Sequence, residues 1–172
     1  MLKMNPAYVI MFISVSLVNS VLPADLICGD DCTFGGSRYL FIKDAVTWHE
    51  AESLCKSSGG YLVEVNSKEE NDWLVGQLKA RKSLSVWMGG NDIRNEGVWE
   101  WRSSKIGPFT AWGRGEPNDY LKNEDCLLFW DVIQYQWNDY NCSKKVSFVC
   151  EQVVDSPVTS RPPGKWQIII QQ

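Results

Sequence analysis

From Arg102 to Asp125 the chain follows neither the period of a helix nor that of a strand, and Gly107, Pro108, Gly113, Gly115 and Pro117 punctuate it. Structureless loops beyond about 12–15 residues are uncommon in a compact domain, so a stretch of this length needs another organising agent. Its residue types suggest one. Glu116-Pro117-Asn118-Asp119, Glu124-Asp125-Cys126 and Trp137-Asn138-Asp139-Tyr140-Asn141-Cys142 crowd carboxylates and side-chain amides together. Calcium takes about 6–8 oxygen ligands from carboxylates, amide carbonyls and backbone carbonyls, and it tolerates irregular geometry. This cluster offers all three kinds, with Pro117 fixing the backbone between Glu116 and Asn118. A solvated acidic loop is the plainer reading of the same residues.

The rest of the pattern is α+β. Arg38 to Ile42 alternates like a short strand, and Thr47-Trp48-His49-Glu50 is a capping box that opens a helix. Trp48, Ala51 and Cys55 then share one face, and Gly59-Gly60 ends the run. A second strand is expected over Tyr61 to Val65. Ser67-Lys68-Glu69-Glu70 repeats the capping-box signal before a helix bearing Trp73, Leu74 and Leu78. Short strands are expected beyond it at Val98 to Trp101, Cys126 to Trp130, Tyr135 to Trp137 and Val146 to Glu151. Trp48, Trp73, Trp87, Trp99 and Trp101 fall on apolar faces and belong to a core, while Trp112 and Trp137 flank the acidic loops and can brace them.

Lys3, the apolar run from Ala7 to Val18 and small residues near Ser20 or Ala24 have the layout of a secretory signal peptide over residues 1–24. The apolar run is too short for a comfortable membrane span, and no other stretch approaches about 20 apolar residues. One domain over residues 28–152 and a Ser/Thr/Pro-rich flexible tail over 153–172 follow. A net charge of −4 argues against nucleic acid or an anionic membrane as the main partner. His49 is the only histidine, so a His-based triad or a multi-histidine zinc site has no support. A calcium-dependent hydrolase would have paired carboxylates but no assigned nucleophile, and no enzymatic activity is expected.

Taken together, the Glu-Pro-Asn triplet at 116–118, the Glu-Asp-Cys at 124–126 and the Trp-Asn-Asp at 137–139 resemble the primary calcium and sugar site of a C-type lectin domain. The resemblance covers roughly Cys28 to Gln152, with Val86-Trp87-Met88-Gly89 similar to that family's core strand. It implies that Glu116, Asn118, Glu124, Asn138 and Asp139 hold calcium and sugar, with Glu116-Pro117 in the cis form. The carboxylates would accept protons from two neighbouring hydroxyls, and the amides would donate to them. Glu-Pro-Asn resembles sites for mannose, N-acetylglucosamine, glucose and fucose, whereas Gln-Pro-Asp would imply galactose. Asp92 and Glu96, with Asp119, Glu124 and Asp125, match an auxiliary calcium site, although turns also favour such acids beside Gly. Seven carboxylates so close would repel without metal, and two calcium ions would offset four of their charges.

Six cysteines in such a chain imply disulfides. The resemblance selects Cys55 with Cys150 and Cys126 with Cys142. Cys28 and Cys32 depart from the family pattern, because the second cysteine of its N-terminal hairpin would stand where Arg38 is. A local Cys28–Cys32 bridge is expected, with an intermolecular bridge as the alternative. Asn141-Cys142-Ser143 is a formal glycosylation sequon, expected empty because Cys142 is tied into a bridge. The resulting expectation is a secreted, calcium-dependent lectin for mannose-type glycans, including those of microbial surfaces, with homo-oligomers possible. A lectin-like module for a protein or mineral surface is the alternative.

Overall fold

The computed structural model describes residues 31–154. The expected signal peptide, Cys28 and the chain beyond Val154 lie outside the described residues. Within them the order is β1 (Asp31–Phe34), β2 (Ser37–Val46), α1 (Trp48–Ser57), β3 (Tyr61–Leu62), α2 (Lys68–Arg81), β4 (Val86–Asn91), β5 (Cys126–Trp130), β6 (Gln136–Tyr140) and β7 (Val146–Val153).

Thr47 begins α1 as a closed capping box: its side chain accepts from Glu50 N, and Glu50 Oε2 accepts from Thr47 N at 2.8 Å. Trp48, Ala51 and Cys55 are the buried face, and Gly60 N donates to Cys55 O at 3.0 Å as the chain leaves the helix. The second box is only half made. Ser67 Oγ accepts from Glu70 N at 3.2 Å, but the Glu70 carboxylate takes Asn66 N at 3.0 Å and the Tyr39 hydroxyl at 2.6 Å instead of the Ser67 N–H. A buried phenol that needs an acceptor outcompetes a half-buried cap.

The strands join in one seven-stranded sheet of order β1-β2-β7-β4-β5-β6, with β3 also on β7. All pairs are antiparallel except β4 with β7, which run parallel through Val86–Ser147 and Trp87–Phe148. Several strands depart from the expected bounds. β2 and β7 run on because they pair with each other as far as Ser37 with Val153. The expected Val98–Trp101 strand is reduced to isolated bridges between Asn91 and Glu100 and between Glu100 and Lys105. The strand expected over Tyr61 to Val65 is regular only at Tyr61–Leu62.

Two apolar clusters fill the domain. One gathers Leu74, Leu78, Leu127, Phe129, Trp101 and Trp137. The other packs α1 against Leu62, Trp87, Leu128 and Phe148. Cys55–Cys150 ties α1 to β7, and Cys126–Cys142 ties the start of β5 to the chain just after β6. Cys32 is also disulfide-bonded; its expected partner, Cys28, lies outside the described residues.

β4 needs Gly89 at its middle. A Cβ there would stand 2.7 Å from the Leu62 carbonyl oxygen, a backbone atom held by the neighbouring Gly89 N to Val63 O bond of 2.9 Å. Gly89→Ala is therefore expected to destabilise the domain by about 1–3 kcal/mol, read as a lower urea midpoint at unchanged slope.

Candidate functional site

The acidic loops are built on β6. Trp137 is fully buried, and its indole N–H donates to Asn71 Oδ1 of α2 at 2.9 Å. Its backbone also takes the loop in hand: Trp137 N donates to Ala111 O, and Gly113 N donates to Trp137 O, each at 2.8 Å. At Gly113 a Cβ would sit 2.4 Å from Ile133 Cδ1, so a larger residue requires that side-chain end to move. Trp112 closes edge-on against Trp137 and Trp99. The long segment without regular structure is thus anchored to the sheet at Ala111–Gly113, just before its acidic end.

Asp139, only 1 % exposed, organises that end. Its carboxylate accepts from Asn118 N at 3.1 and 2.9 Å and from Asp119 N at 2.6 Å. Glu116 N donates to Gly113 O, and the Glu116–Pro117 bond is cis. The Asn118 side-chain amide donates to Glu116 Oε2, so these two side chains lie side by side. Asp119 Oδ1 accepts from Glu124 N at 3.2 Å, while Glu124 Oε2 accepts from Tyr120 N at 3.1 Å. Asn138 is buried next door, its amide donating to the Asp139 carbonyl.

A second cluster adjoins the first. Asp92, 2 % exposed, receives Gly97 N on Oδ2 at 2.8 Å, and its own N–H donates to Asp125 O at 3.1 Å. One carboxylate oxygen from each of Asp92, Glu96 and Asp125 lies within 4.8 Å of the others. Hence the structure brings Glu116, Asn118, Asp119, Asn138 and Asp139 together, sets Glu124 against Asp119, and groups Asp92, Glu96 and Asp125 beside them. His49 stands exposed on α1 with its ring edge-on to Trp48.

Two buried oxygens in these clusters have no hydrogen-bond partner among the described residues: Asp92 Oδ1 and Asn138 Oδ1. Leaving a buried acceptor unsatisfied costs about 1–3 kcal/mol, so each position fits a cation that completes it. The titration behaviour agrees. Burial, then the charge of Asp125, raises Asp92 above the usual carboxylate range, against the hydrogen bond from Gly97. Desolvation and the surrounding carboxylates, Asp92 first, raise Glu96. Burial and then Asp139 raise both Glu116 and Glu124, opposed by Asn118 and by the Tyr120 N–H respectively. A divalent ion bound among these carboxylates would favour their ionised forms.

Residues 44–152 match the family described as the Lectin C-type domain. The chain belongs to the C-type lectin family. A perlucin-like protein of Mytilus galloprovincialis is 38 % identical over 116 residues, covering 65 % of this chain and 74 % of that protein. Among solved structures, the cow C-type carbohydrate-recognition domain of CD23, determined in the presence of a GlcNAc2Man3 oligosaccharide, superposes with a TM-score of 0.66 at 29 % identity, over 75 % of this chain and 98 % of that one. Herring type II antifreeze protein superposes equally well, with a TM-score of 0.66 at 27 % identity over 73 % and 98 % of the two chains. This is a family of carbohydrate-binding, non-enzymatic domains.

Two supports of the lectin's site are absent from the residues expected on sequence. Asn71 holds the Trp137 indole, and the Gly97 N–H holds Asp92. Asn71 gives no local signal, being 66 residues from its partner. Gly97 does: it closes the Asp92–Gly97 loop at a φ of 76°, where glycine is favoured.

Proposed function

We propose that this C-type lectin binds mannose-type sugars through calcium held by Glu116, Asn118, Glu124, Asn138 and Asp139. Asp92, Glu96, Asp119, Glu124 and Asp125 hold a second ion. The observation that carries the reading is the pair of unpartnered buried oxygens, Asp92 Oδ1 and Asn138 Oδ1, one in each cluster. Asn138 Oδ1 belongs to an amide whose nitrogen gives one of its two hydrogens to the Asp139 carbonyl, which leaves the oxygen as the unused acceptor. Calcium, when bound, supplies the cation on which two vicinal hydroxyl oxygens rest. Glu116 and Glu124 accept the protons of those hydroxyls, and the amides of Asn118 and Asn138 turn donors toward them. The juxtaposed Glu116 and Asn118 side chains present an acceptor and a donor on one side of a sugar. The protein is secreted and meets glycans outside the cell, in keeping with the disulfides of the domain.

Retention on immobilised mannose in calcium, with release by EDTA and by free mannose but not by galactose, is the expected result. Binding to a single site is weak, about millimolar or near −4 kcal/mol, so a column of high sugar density is required. Retention that persists in EDTA would remove the calcium reading. A second reading has its own observation: Tyr120 and Leu121, 65 and 79 % exposed, stand beside the acidic loops, and the antifreeze likeness extends over most of the domain. In that reading the same face meets a protein or a mineral surface, and a glycan array empty in calcium would favour it.

A further inference from the structure

A groove runs over β2, β7 and the residues leading into β4. Two cavities of about 300 and 360 Å³ adjoin there, sharing Lys43, Leu84 and Ser147. Trp130 and Tyr140, both half-buried, wall one end beside Leu128. Four cations, Lys43, Arg81, Lys82 and Lys145, line the groove against a single carboxylate, Asp131, on a chain whose net charge is −4. Asp131 is already engaged by the Ser85 hydroxyl at 2.5 Å. Arg81 is held rigidly, its guanidinium 4.0 Å from the Phe41 ring centroid and bonded to Gln77 Oε1 at 2.6 Å. Lys43, Lys82 and Lys145 form no ion pair among the described residues, although Lys145 adds to the hydrogen bonds from Thr47 that lower the Glu50 carboxyl. Leu84, 74 % exposed, stands between the two cavities.

We propose that this groove is a second binding site, for a linear acidic glycan bearing sulfate or carboxylate groups. Charge complementarity selects a polyanion, because the three lysines are concentrated on an acidic protein that gives them no ion-pair partner among the described residues. The half-buried rings of Trp130 and Tyr140, set beside Lys43 and Lys145, suit the apolar face of a pyranose ring better than an extended acidic peptide. None of the proposed calcium ligands lines the groove, so binding there is expected without the metal.

Heparin immobilised on resin is the probe, in EDTA and at about 50 mM salt, where the screening length still allows exposed charges to act. The full chain is expected to bind and to elute as salt rises. Lys43→Glu with Lys145→Glu should weaken binding about tenfold, since two exposed pairs become repulsive. Lys56→Glu with Lys105→Glu makes the same change of net charge away from the groove and should leave elution nearly unchanged. Both variants should keep calcium-dependent retention on mannose, which shows that they fold. Equal loss in the two variants, or no retention of the unaltered chain, overturns the site. Release by polyglutamate as readily as by soluble heparin overturns the glycan as its occupant.

Discussion

Adding calcium to protein stripped with EDTA is expected to raise its melting temperature by roughly 10 °C at pH 7, and the gain should shrink steadily as the pH is lowered toward about 5. The size follows from mass action. At a hundred times its dissociation constant an ion adds about 2.7 kcal/mol per independent site, and each kcal/mol moves a domain of this size by several degrees. The pH dependence has two opposite sources. Without metal, Asp92, Glu96, Glu116 and Glu124 have folded pKa values raised above their unfolded ones. The folded state then binds more protons than the unfolded state, so stability is fully present below the unfolded values near 4 and is lost as pH rises through the raised folded values. Lowering the pH therefore stabilises the stripped protein. With calcium bound the same carboxylates must be ionised, and protons compete with the ion. Lowering the pH destabilises the loaded protein.

The two melting curves should thus converge from both sides. Glu64 and Glu151 are also raised, chiefly by burial, but neither touches a proposed metal ligand: Glu64 accepts from Arg102 N, and Glu151 from Ser37 Oγ and Glu64 N. Their contribution is common to both samples and cancels in the difference. Calorimetry with and without EDTA between pH 5 and 7 makes the comparison. A calcium effect that is absent at pH 7, or that grows on acidification, would contradict the assignment of these carboxylates to the metal.

What the sequence reveals about such a domain divides along a physical line. Thr47 and Glu50 cap α1 as their spacing demands, because both partners are exposed and nothing else competes for them. Ser67 and Glu70 carry the same signal, yet Glu70 is drawn off by Tyr39, a residue 31 positions away that no local pattern names. The acidic residues of the loops announce themselves by type, since oxygen-rich side chains beside Pro117 have few uses other than solvation. Their support does not. Asp139 spends both carboxylate oxygens on the backbone of Asn118 and Asp119, so it acts as the clamp that shapes the loop as well as a ligand in the proposed site. Strand ends are poorly legible for a related reason. β2 and β7 extend because each finds the other as a partner, and the parallel junction of β4 with β7 is a property of the assembled sheet.

Exchanging Glu116 for Gln together with Asn118 for Asp is expected to reverse sugar preference, so that galactose competes about tenfold better than mannose where mannose had prevailed. The exchange keeps one carboxylate and one amide at the two positions, so the charge offered to calcium is unchanged. It also keeps their mutual contact. The Asn118 amide now donates to the Glu116 carboxylate, and after the exchange an amide at position 116 can donate to a carboxylate at position 118 across the same gap. The backbone N–H of residue 118 still reaches Asp139, so the loop retains its clamp. Only the order of donor and acceptor toward the sugar is inverted. A hydroxyl pair that fitted the original order then meets donor against donor or acceptor against acceptor, and a site built around hydrogen bonds discriminates strongly when they are mismatched. Competition for an immobilised neoglycoprotein by free mannose and free galactose gives the ratio, while the calcium-induced rise in melting temperature shows that the metal is still held. If that rise survives and mannose remains the better competitor, the sugar does not bind across Glu116 and Asn118.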